Sequence, residues 1–578
     1  MRNKSIDVLK GVAIIAIILF HANIAQCGYL GVDIFLVIAG YFTALTVGRL
    51  RFTADGSKFI LSRVFRLLPL LLLAGILCLI FGWFMMLPDD YENVAESVIA
   101  TNTFTNNFLQ CLTTGNYWSI SNEYRPLMHT WYLGLLMQLY LTVPLILLAI
   151  KRFAGARFRP IAIATLSLIA IVSIILDFTR HDGPAQFYYL PYRLYEFCAG
   201  ALIPFVFPKI DVRAGRNAVL NAALILAYAL ILALLFVDAP FVHPQARLFA
   251  IILLTCFLIV ALQTSPRANN RLFSNPLLAI IGMACYSLFV WHQVLLAITR
   301  YSFTADILQP SVLAVLLASL ALLSFLSYKY VEKMPRNKAT WSAVILVFVA
   351  VTAFALHIYN TSGVVRDVPE LDVRRADARK NMWGEYCDRG YAYDKDFADD
   401  GRRKVLVIGN SFARDFVNII VESPVAKDVD LSYLTIADDD PQRVRQADIV
   451  FVAAYGITPE DVTAAQTHLS PRQKLYVVGE KNFGASGGGQ IYRHRHAADY
   501  HTLTTTIAPG YLERNNALSA RYPDNFIDLI SLTTTADGRI RVFTPDGKYI
   551  SQDGLHLTRS GARYLATLLD WPRLLTPQ

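Results

Sequence analysis

Apolar runs of about 20 residues recur through roughly the first 360 positions of this chain, and they limit its fold more than any other feature. A helix of that length spans the hydrocarbon core of a bilayer. The mean hydropathy of +0.41 is also too high for a soluble protein of 578 residues. The sequence therefore predicts a membrane-embedded helical bundle. Eleven spans fit the pattern, at roughly 8–26, 28–48, 67–87, 131–150, 160–178, 186–207, 218–237, 247–264, 277–298, 311–330 and 341–359.

Basic residues alternate between the two sides of this predicted bundle. Lys and Arg are concentrated at the N-terminus and in the loops after spans two, four, six and ten, and the intervening loops carry about one each. Because basic residues are retained on the cytoplasmic side, we expect a cytoplasmic N-terminus and an extracytoplasmic C-terminal portion. The first span lacks a small-residue cleavage site and is predicted to be an uncleaved anchor.

Neither a metal site nor a nucleic-acid interface is expected from the composition. The seven cysteines have no metal-ligand spacing, and four of them lie within apolar runs. The net charge of +9 comes largely from the loops assigned to the cytoplasm, and no basic patch is interleaved with aromatic residues. Cys27 and Cys111 fall near outer span ends, so the sequence leaves a disulfide between them open.

The first predicted span carries three ionisable residues, which are costly in a bilayer and mark either a functional site or a structural pair. Lys10 and His21 are spaced to lie on one side of a helix, about 16 Å apart along its axis, and Asp7 shares that side. Two interpretations stay open. The residues form either a reacting set or a boundary ion pair of Asp7 with Lys10 and a buried hydrogen bond at His21.

Further polar residues recur at the ends of the predicted spans. Arg63 and Arg66 lie one helical turn apart, which suits either phosphate recognition or anchoring at the cytoplasmic surface. Arg193 and Glu196 are expected to pair within one turn. Residues of the same kind are His129, His292 and Glu332. For all five, two roles stay open, which are joining neighbouring helices and taking part in catalysis.

The last third of the chain has the pattern of an α/β domain. A β-rich run at 404–408 leads into Gly409-Asn410-Ser411 and a helical stretch, so Ser411 is expected at a helix N-terminus whose N–H groups can hold an oxyanion. Apolar runs at 430–436, 448–454, 474–479 and 525–530 alternate with helix-compatible segments, which predicts an α/β/α sandwich with a parallel sheet. Asp553 and His556 follow. The structural alternative for them is a helix cap and a surface histidine, and the Ser411 block earlier in the segment disfavours that alternative.

Short motifs across residues 1–338, taken in order, resemble the acyltransferase-3 family of membrane-bound acyltransferases. They are Asp7 to Lys10 followed by His21, residues 31–41 (GVDIFLVIAGY), 63–69 (RVFRLLP), 129–131 (HTW), Arg193 with Glu196 and Gly200, residues 282–292 (GMACYSLFVWH), and Glu332 with Pro335 and Arg336. The resemblance implies a donor site on the cytoplasmic side with acetyl-CoA as the usual acyl donor, and no bound cofactor.

By matching position, the resemblance assigns Lys10, Arg63 and Arg66 to donor binding and His21 to the role of reacting base or acyl relay. The remaining motif residues, Asp7, His129, Arg193, Glu196, His292 and Glu332, are given supporting roles. One departure matters, because Leu136 and Met137 stand where the family usually has acidic residues. No carboxylate role is carried over to that place.

The motifs of the C-terminal segment resemble those of SGNH hydrolases, which have a flavodoxin-like α/β/α fold. The resemblance implies that Ser411 is the nucleophile, His556 its base and Asp553 the group that orients the imidazole. Gly456 and Asn482 match the weaker middle motifs of that family and would complete an oxyanion hole with the N–H of Ser411.

The two resemblances together predict an acyltransferase-3-like transmembrane domain (1–338), an additional transmembrane helix (339–362), a linker (363–400) and an SGNH-like domain (401–578). This order is similar to that of bacterial O-acetyltransferases of cell-envelope glycans. It implies transfer of acetyl from acetyl-CoA across the inner membrane to an envelope polysaccharide, with lipopolysaccharide, peptidoglycan and capsule all open as acceptors. A membrane-anchored extracytoplasmic carbohydrate esterase and a transporter or sensor are the alternatives.

Overall fold

The computed structural model describes residues 4–50, 52–113, 120–180, 183–207, 218–238, 240–264, 274–303, 309–398, 400–484 and 488–576. The chain forms two compact units. The helical unit comprises Met1–Leu79 and Glu96–Ala355, and the α/β unit comprises Ile80–Ala95 and Leu356–Gln578. Residues 80–95 therefore belong with the last third of the chain. The basic loop at 208–217, which contributed to the predicted orientation, lies outside the described residues.

The first part of the chain is helical, as its apolar runs predict. Its α-helices are α1 (Lys4–His21), α2 (Gly31–Val47), α3 (Phe52–Met85), α4 (Pro88–Asn102), α5 (Asn106–Thr113), α6 (Trp131–Ala154), α7 (Phe158–Thr179), α8 (Pro184–Tyr188), α9 (Leu194–Val206), α10 (Ala218–Phe236), α11 (Pro244–Thr264), α12 (Pro276–Met283), α13 (Cys285–Ser302), α14 (Pro310–Leu326) and α15 (Lys338–Asn360).

Seven described segments are long and apolar enough to cross a membrane, or eight if α12 and α13, bent by 72° at their junction, form one span. The protein is thus a multi-pass membrane protein by the length and composition of its helices. The predicted number of eleven is larger because it also counts α1, which carries three charged residues, and the short α9. It also counts α6 and α7 separately. These two helices lie in one apolar segment, Met128–Thr179, and a 3₁₀ turn at Gly155–Arg157 joins them.

Glycines let pairs of these helices approach closely. A Cβ added to Gly200 in α9 would collide with the backbone carbonyl group of Val37 in α2, and one added to Gly282 in α12 would collide with that of Asp7 in α1. Small residues at crossings are typical of membrane bundles, where close backbone approach replaces the hydrophobic drive. These crossings fix α2 and also α1, which carries the predicted site residues Asp7, Lys10 and His21.

The α/β unit contains the predicted strands and helices. Its strands are β1 (Arg403–Ile408), β2 (Val429–Leu434), β3 (Ile449–Ala453), β4 (Lys474–Val478), β5 (Thr504–Thr505), β6 (Phe526–Ile527) and β7 (Ile540–Arg541). Its helices are α16 (Met382–Cys387), α17 (Ser411–Val421), α18 (Pro441–Gln446), α19 (Pro459–Thr467), α20 (Gly489–Tyr492), α21 (Tyr511–Arg521), α22 (Leu529–Thr533), α23 (Arg559–Leu568) and α24 (Trp571–Leu575).

Five of these strands form a parallel sheet in the order β2-β1-β3-β4-β6. Alternate residues of β1 enter two cores, Val407 with Phe416 of α17 on one face and Leu406 with Val462 of α19 on the other. The predicted α/β/α arrangement is therefore present. In such sheets ligands bind beyond the carboxyl ends of strands where the strand order reverses, here between β1 and β3.

Two expectations outside the regular elements have clear structural outcomes. Cys27 and Cys111 are both free thiols, so the disulfide that the sequence left open is not formed. The segment predicted as a linker is folded, because it contains α16 and short 3₁₀ turns. Arg389 in this segment pairs with Glu422 at 3.0 Å and donates to Asn418 Oδ1 at 2.9 Å.

Candidate active sites

The helical unit encloses a cavity of about 370 Å³ that brings together the three residues assigned to donor binding. Lys10, Arg63 and Arg66 all line it. Lys10 Nζ lies 3.5 Å from Asp7 Oδ1, so the ion pair that the sequence left open is present at the edge of the cavity. The guanidinium group of Arg63 lies 5.0 Å from the ring centroid of Tyr140, which orients it by a cation–π contact.

His21 is held in a defined tautomer by His292. The two rings are joined by a 2.8 Å hydrogen bond between His21 Nδ1 and His292 Nε2. His292 Nδ1 lies 2.6 Å from the carbonyl oxygen of Phe289 and must be the N–H that donates to it. In a neutral ring His292 Nε2 is then the acceptor, so His21 Nδ1 donates and His21 Nε2 carries the lone pair. A base or an acyl carrier needs that lone pair.

His129 lies beside this histidine pair. It is 1 % exposed. Its ring centroid is 5.1 Å from that of His292, and it lines a small cavity together with His21. Tyr132 and Phe289, in edge-to-face contact at 5.5 Å, line both this cavity and the larger one. The histidines thus lie on one side of the Tyr132–Phe289 pair, and the basic cavity lies on the other side.

The other predicted residues of the helical unit make contacts between helices. Arg193 pairs with Glu196 at 3.0 Å, as expected, and also with Asp33 at 2.6 Å. All three are buried, and they join α2 to α9. Glu332 Oε1 accepts a hydrogen bond from Ser287 Oγ at 2.5 Å. None of these five residues lines the 370 Å³ cavity.

In the α/β unit, a strained turn presents Ser411 at the start of α17. Gly409 has φ +136°, and a Cβ there would collide with a carbonyl group of β3, so the turn requires glycine. Asn410 Oδ1 caps the helix and also accepts from the N–H of Tyr455 at 2.9 Å. Ser411 is half-buried, and its backbone N–H makes no hydrogen bond with any described residue. The predicted strand–turn–helix at Ser411 is present.

Asp553 and His556 form a close pair. His556 Nδ1 lies 2.6 Å from Asp553 Oδ2, and Asp553 Oδ1 accepts from two backbone N–H groups. Burial alone would raise the pKa of Asp553, but the charge of His556 and these hydrogen bonds hold its pKa well below the usual value. Burial alone would lower the pKa of His556, yet Asp553 raises that pKa above the usual value. Asp553 is therefore ionised, and His556 Nε2 is the nitrogen that can take up a proton.

Ser411 and His556 are carried by segments that contact each other. Asp415, one turn after Ser411 on α17, accepts a hydrogen bond from the backbone N–H of Leu557 at 3.3 Å. Within the described part of the chain no hydrogen bond joins Ser411 to His556 directly. Catalytic hydrogen bonds are often long in proteins without substrate, so this geometry fits a nucleophile and base that close on an acyl group.

A buried ion pair that the sequence analysis missed holds this arrangement together. Lys481 Nζ lies 2.7 Å from Asp415 Oδ2, and the two side chains are 2 % and 1 % exposed. Lys481 also donates to the carbonyl oxygen of Leu555 and lies 3.5 Å from the ring centroid of Phe412. The pair thus ties α17 to the Asp553–His556 loop. Asp415 and Lys481 are far apart in the sequence, so no local spacing signals their pairing.

The two remaining oxyanion candidates differ in whether their N–H donor is available to an oxyanion. Asn482 Oδ1 accepts from the N–H groups of Gly484 at 3.0 Å and Ala508 at 2.8 Å, which leaves its Nδ2 group as the donor. The N–H of Gly456 donates to Glu480 Oε1 at 3.1 Å. The assignment of Gly456 stays a prediction, because its N–H would have to leave this carboxylate before it could hold an oxyanion.

We expect Asp553→Asn to lower kcat for ester hydrolysis by about 10²- to 10⁴-fold, because an amide does not stabilise the imidazolium. The acid limb of the pH profile should also move to lower pH, since the carboxylate that raises the pKa of His556 is lost while burial still lowers it. The measurement is kcat/KM for 4-nitrophenyl acetate between about pH 5 and pH 9 with the full-length protein. Asp570→Asn, at the N-cap of α24, is the matched control. An acid limb that stays in place would contradict the assignment.

Comparison with known proteins places the N-terminal part of the chain in a family. Peptidoglycan O-acetyltransferase OatA of Listeria monocytogenes is 26% identical over 344 residues, covering 57% of this chain and 55% of the relative. O-acetyltransferase OatA of Staphylococcus aureus is 27% identical over 353 residues, covering 58% and 57%. The chain thus spans about half the length of these relatives. No solved structure matches the chain. A family model described as an acyltransferase domain matches residues 3–329, and the chain therefore belongs to the acyltransferase-3 family of acyltransferases.

Proposed function

We propose that this protein moves an acetyl group from cytoplasmic acetyl-CoA across the bacterial inner membrane to a hydroxyl of an envelope polysaccharide, through an acyl-enzyme on Ser411. The observation that carries the proposal is the presence, in one chain, of a basic cavity in an acyltransferase domain and an Asp553–His556 pair in an α/β unit. The alternation of basic loops supports a cytoplasmic N-terminus and an SGNH-like unit on the opposite side. A relative named for peptidoglycan supports a glycan acceptor.

On the donor side, the proposed roles follow from charge and cavity size. Arg63 and Arg66 present guanidinium groups that suit the phosphates of coenzyme A, and Lys10 adds a third positive charge. A cavity of about 370 Å³ is at the lower end of the range for small-molecule sites, so it can hold the reacting end of the donor. His21 Nε2 carries the lone pair needed to accept the acetyl group or a proton.

In the α/β unit, the proposed reaction has two steps. His556 Nε2 removes the Ser411 proton as Oγ attacks the acetyl carbonyl, and it returns that proton to the leaving group. A sugar hydroxyl then attacks the acyl-Ser411, and its proton passes through His556 to Ser411 Oγ. The N–H of Ser411 and the Asn482 amide are the proposed oxyanion donors.

The deciding experiment looks for acetyl on Ser411. Purified full-length protein in lipid nanodiscs is incubated with isotope-labelled acetyl-CoA, and the peptide that contains Ser411 is examined by mass spectrometry. We expect the label on Ser411, since a covalent acyl-enzyme is central to the proposal. No label, together with intact hydrolysis of 4-nitrophenyl acetate, would favour the membrane-anchored esterase and overturn the proposal.

We expect the double substitution Arg63→Ala with Arg66→Ala to raise the acetyl-CoA concentration for half-maximal Ser411 loading by about tenfold or more. Two charge-assisted contacts to phosphate are lost, while α3 (Phe52–Met85), which carries both residues, remains folded. The measurement is the loading rate as a function of acetyl-CoA concentration. Arg152→Ala with Arg157→Ala removes the same charge from exposed positions outside the cavity and is the control. Equal behaviour of the two variants would show that Arg63 and Arg66 serve only as anchors.

A further inference from the structure

The segment between α3 and α4 is built into the core of the α/β unit, although it lies far from that unit in the sequence. Leu87 is fully buried in a core cluster that contains Tyr549. Arg366 donates to the carbonyl oxygens of Trp83 and Met86 and so clamps the backbone of this segment. The segment is therefore a structural part of the unit that carries Ser411 and not a loose connection.

This segment leads directly to the Asp553–His556 pair. The side chain of Leu87 lies against Gly488, whose N–H donates to the carbonyl oxygen of Gln552 at 3.3 Å, next to Asp553. Asp89 follows Leu87 by two residues. The charges of Asp553 and His556 both act on the Asp89 carboxyl group. Asp89 thus lies at the rim of the active site of the α/β unit.

The Asp89 carboxyl group can bind a ligand. It is half-buried, Oδ2 accepts from Asn93 Nδ2 at 3.4 Å, and the other oxygen has no donor among the described residues. Burial, and then the negative charge of Asp553, raise the pKa of Asp89 to about 8. Asp90 and Glu92 act in the same direction, and His556 opposes them. At neutral pH the group is therefore mostly protonated, so it can donate a hydrogen bond as well as accept one.

We propose that Asp89 is an acceptor-binding residue of this active site, where its carboxyl group holds a hydroxyl group of the sugar that receives the acetyl. The inference rests on the proposed O-acetyltransferase function. A sugar hydroxyl both donates and accepts, and a protonated carboxyl group complements it without placing a second negative charge beside Asp553.

In the transfer step the sugar oxygen bonds to the acetyl carbon as the bond from that carbon to Ser411 Oγ breaks, and the hydroxyl proton passes through His556 to Oγ. Water competes for the same acyl group. A residue that holds the sugar but not water in attacking position therefore directs the acyl-enzyme to transfer over hydrolysis.

The test compares two readouts on the full-length protein. One is ester-linked acetate, released by mild base from the envelope polysaccharide of cells with equal membrane levels of each variant, above a Ser411→Ala background. The other is hydrolysis of 4-nitrophenyl acetate by the purified protein in nanodiscs, which needs no sugar. We expect Asp89→Ala to lower the acetate about tenfold or more and to change hydrolysis less than about twofold. Asp89→Asn, which still donates and accepts, should stay within about threefold of the native protein.

Asp524→Ala, at an exposed position of the α/β unit, is the matched control and should change neither readout. An equal fall of both readouts in Asp89→Ala would show a merely structural role and overturn the inference, as would unchanged acetate. If native cells carry no more acetate than Ser411→Ala cells, the proposed function itself fails, a result distinct from either outcome at Asp89.

Discussion

Ser411→Ala and His556→Ala should each abolish ester hydrolysis by the full-length protein, lowering kcat for 4-nitrophenyl acetate by about 10⁴-fold or more. Without the Ser411 hydroxyl there is no nucleophile, and without the His556 imidazole nothing takes the hydroxyl proton at neutral pH. The rate is measured on purified protein in nanodiscs, with folding checked by the thermal transition. Ser470→Ala and His496→Ala, at exposed positions, are the matched controls.

The double variant of Ser411 and His556 sharpens this prediction. Residues that act as one unit are strongly non-additive, so the double variant should lose no more activity than either single variant. If the losses multiplied, or if either single variant kept more than about one per cent of the rate, the two residues would not form a nucleophile and base.

The sheet of the α/β unit could be predicted because each of its strands is a short apolar run between helix-compatible segments. The run at 404–408 corresponds to β1 (Arg403–Ile408), and the turn residues Gly409 and Asn410 mark the entry to α17. Local sequence determines these features, since a glycine with positive φ and an N-capping asparagine act within a few residues. The position of Ser411 at a helix N-terminus follows from them.

The helix breaks could not be predicted from apolar length. The run at 186–207 was expected to be one span, but it contains α8, a 3₁₀ turn at Leu190–Tyr192 and α9. Pro191 in this turn removes a backbone donor and disfavours helix at the residue before it. The break places Arg193 at the start of α9, where it meets Asp33 as well as Glu196. Apolar composition does not report such a break, because all three pieces are hydrophobic.

Long-range partners were also beyond the sequence. Lys481 and Asp415 are 66 positions apart, and neither belongs to a motif that indicates an ion pair. Likewise, Leu87 is the last residue of the predicted span 67–87, yet it is buried in the α/β unit. Such contacts depend on which distant segments the fold brings together. Periodicity in a single sequence predicts local helices and strands, but it does not show which of these segments meet.

His21→Ala should eliminate loading of Ser411 from acetyl-CoA while leaving hydrolysis of 4-nitrophenyl acetate within about twofold of the native rate. A base or nucleophile typically contributes about 10²- to 10⁴-fold, so loading should fall by at least the lower of these factors. The two activities separate because a soluble ester reaches Ser411 directly, whereas acetyl from the donor must first pass the helical unit. Both are measured on the same full-length protein in nanodiscs.

The control for this prediction is His243→Ala, which removes an exposed histidine from the helical unit. It should load Ser411 normally. If His21→Ala also loads normally, its hydrogen bond to His292 is structural, and the acetyl group reaches Ser411 by a route that does not use the first helix. If instead both activities fall together, the substitution has damaged the whole protein, and the relay in series from His21 to Ser411 loses its support. Loss of loading with hydrolysis intact is the result that places His21 upstream of Ser411.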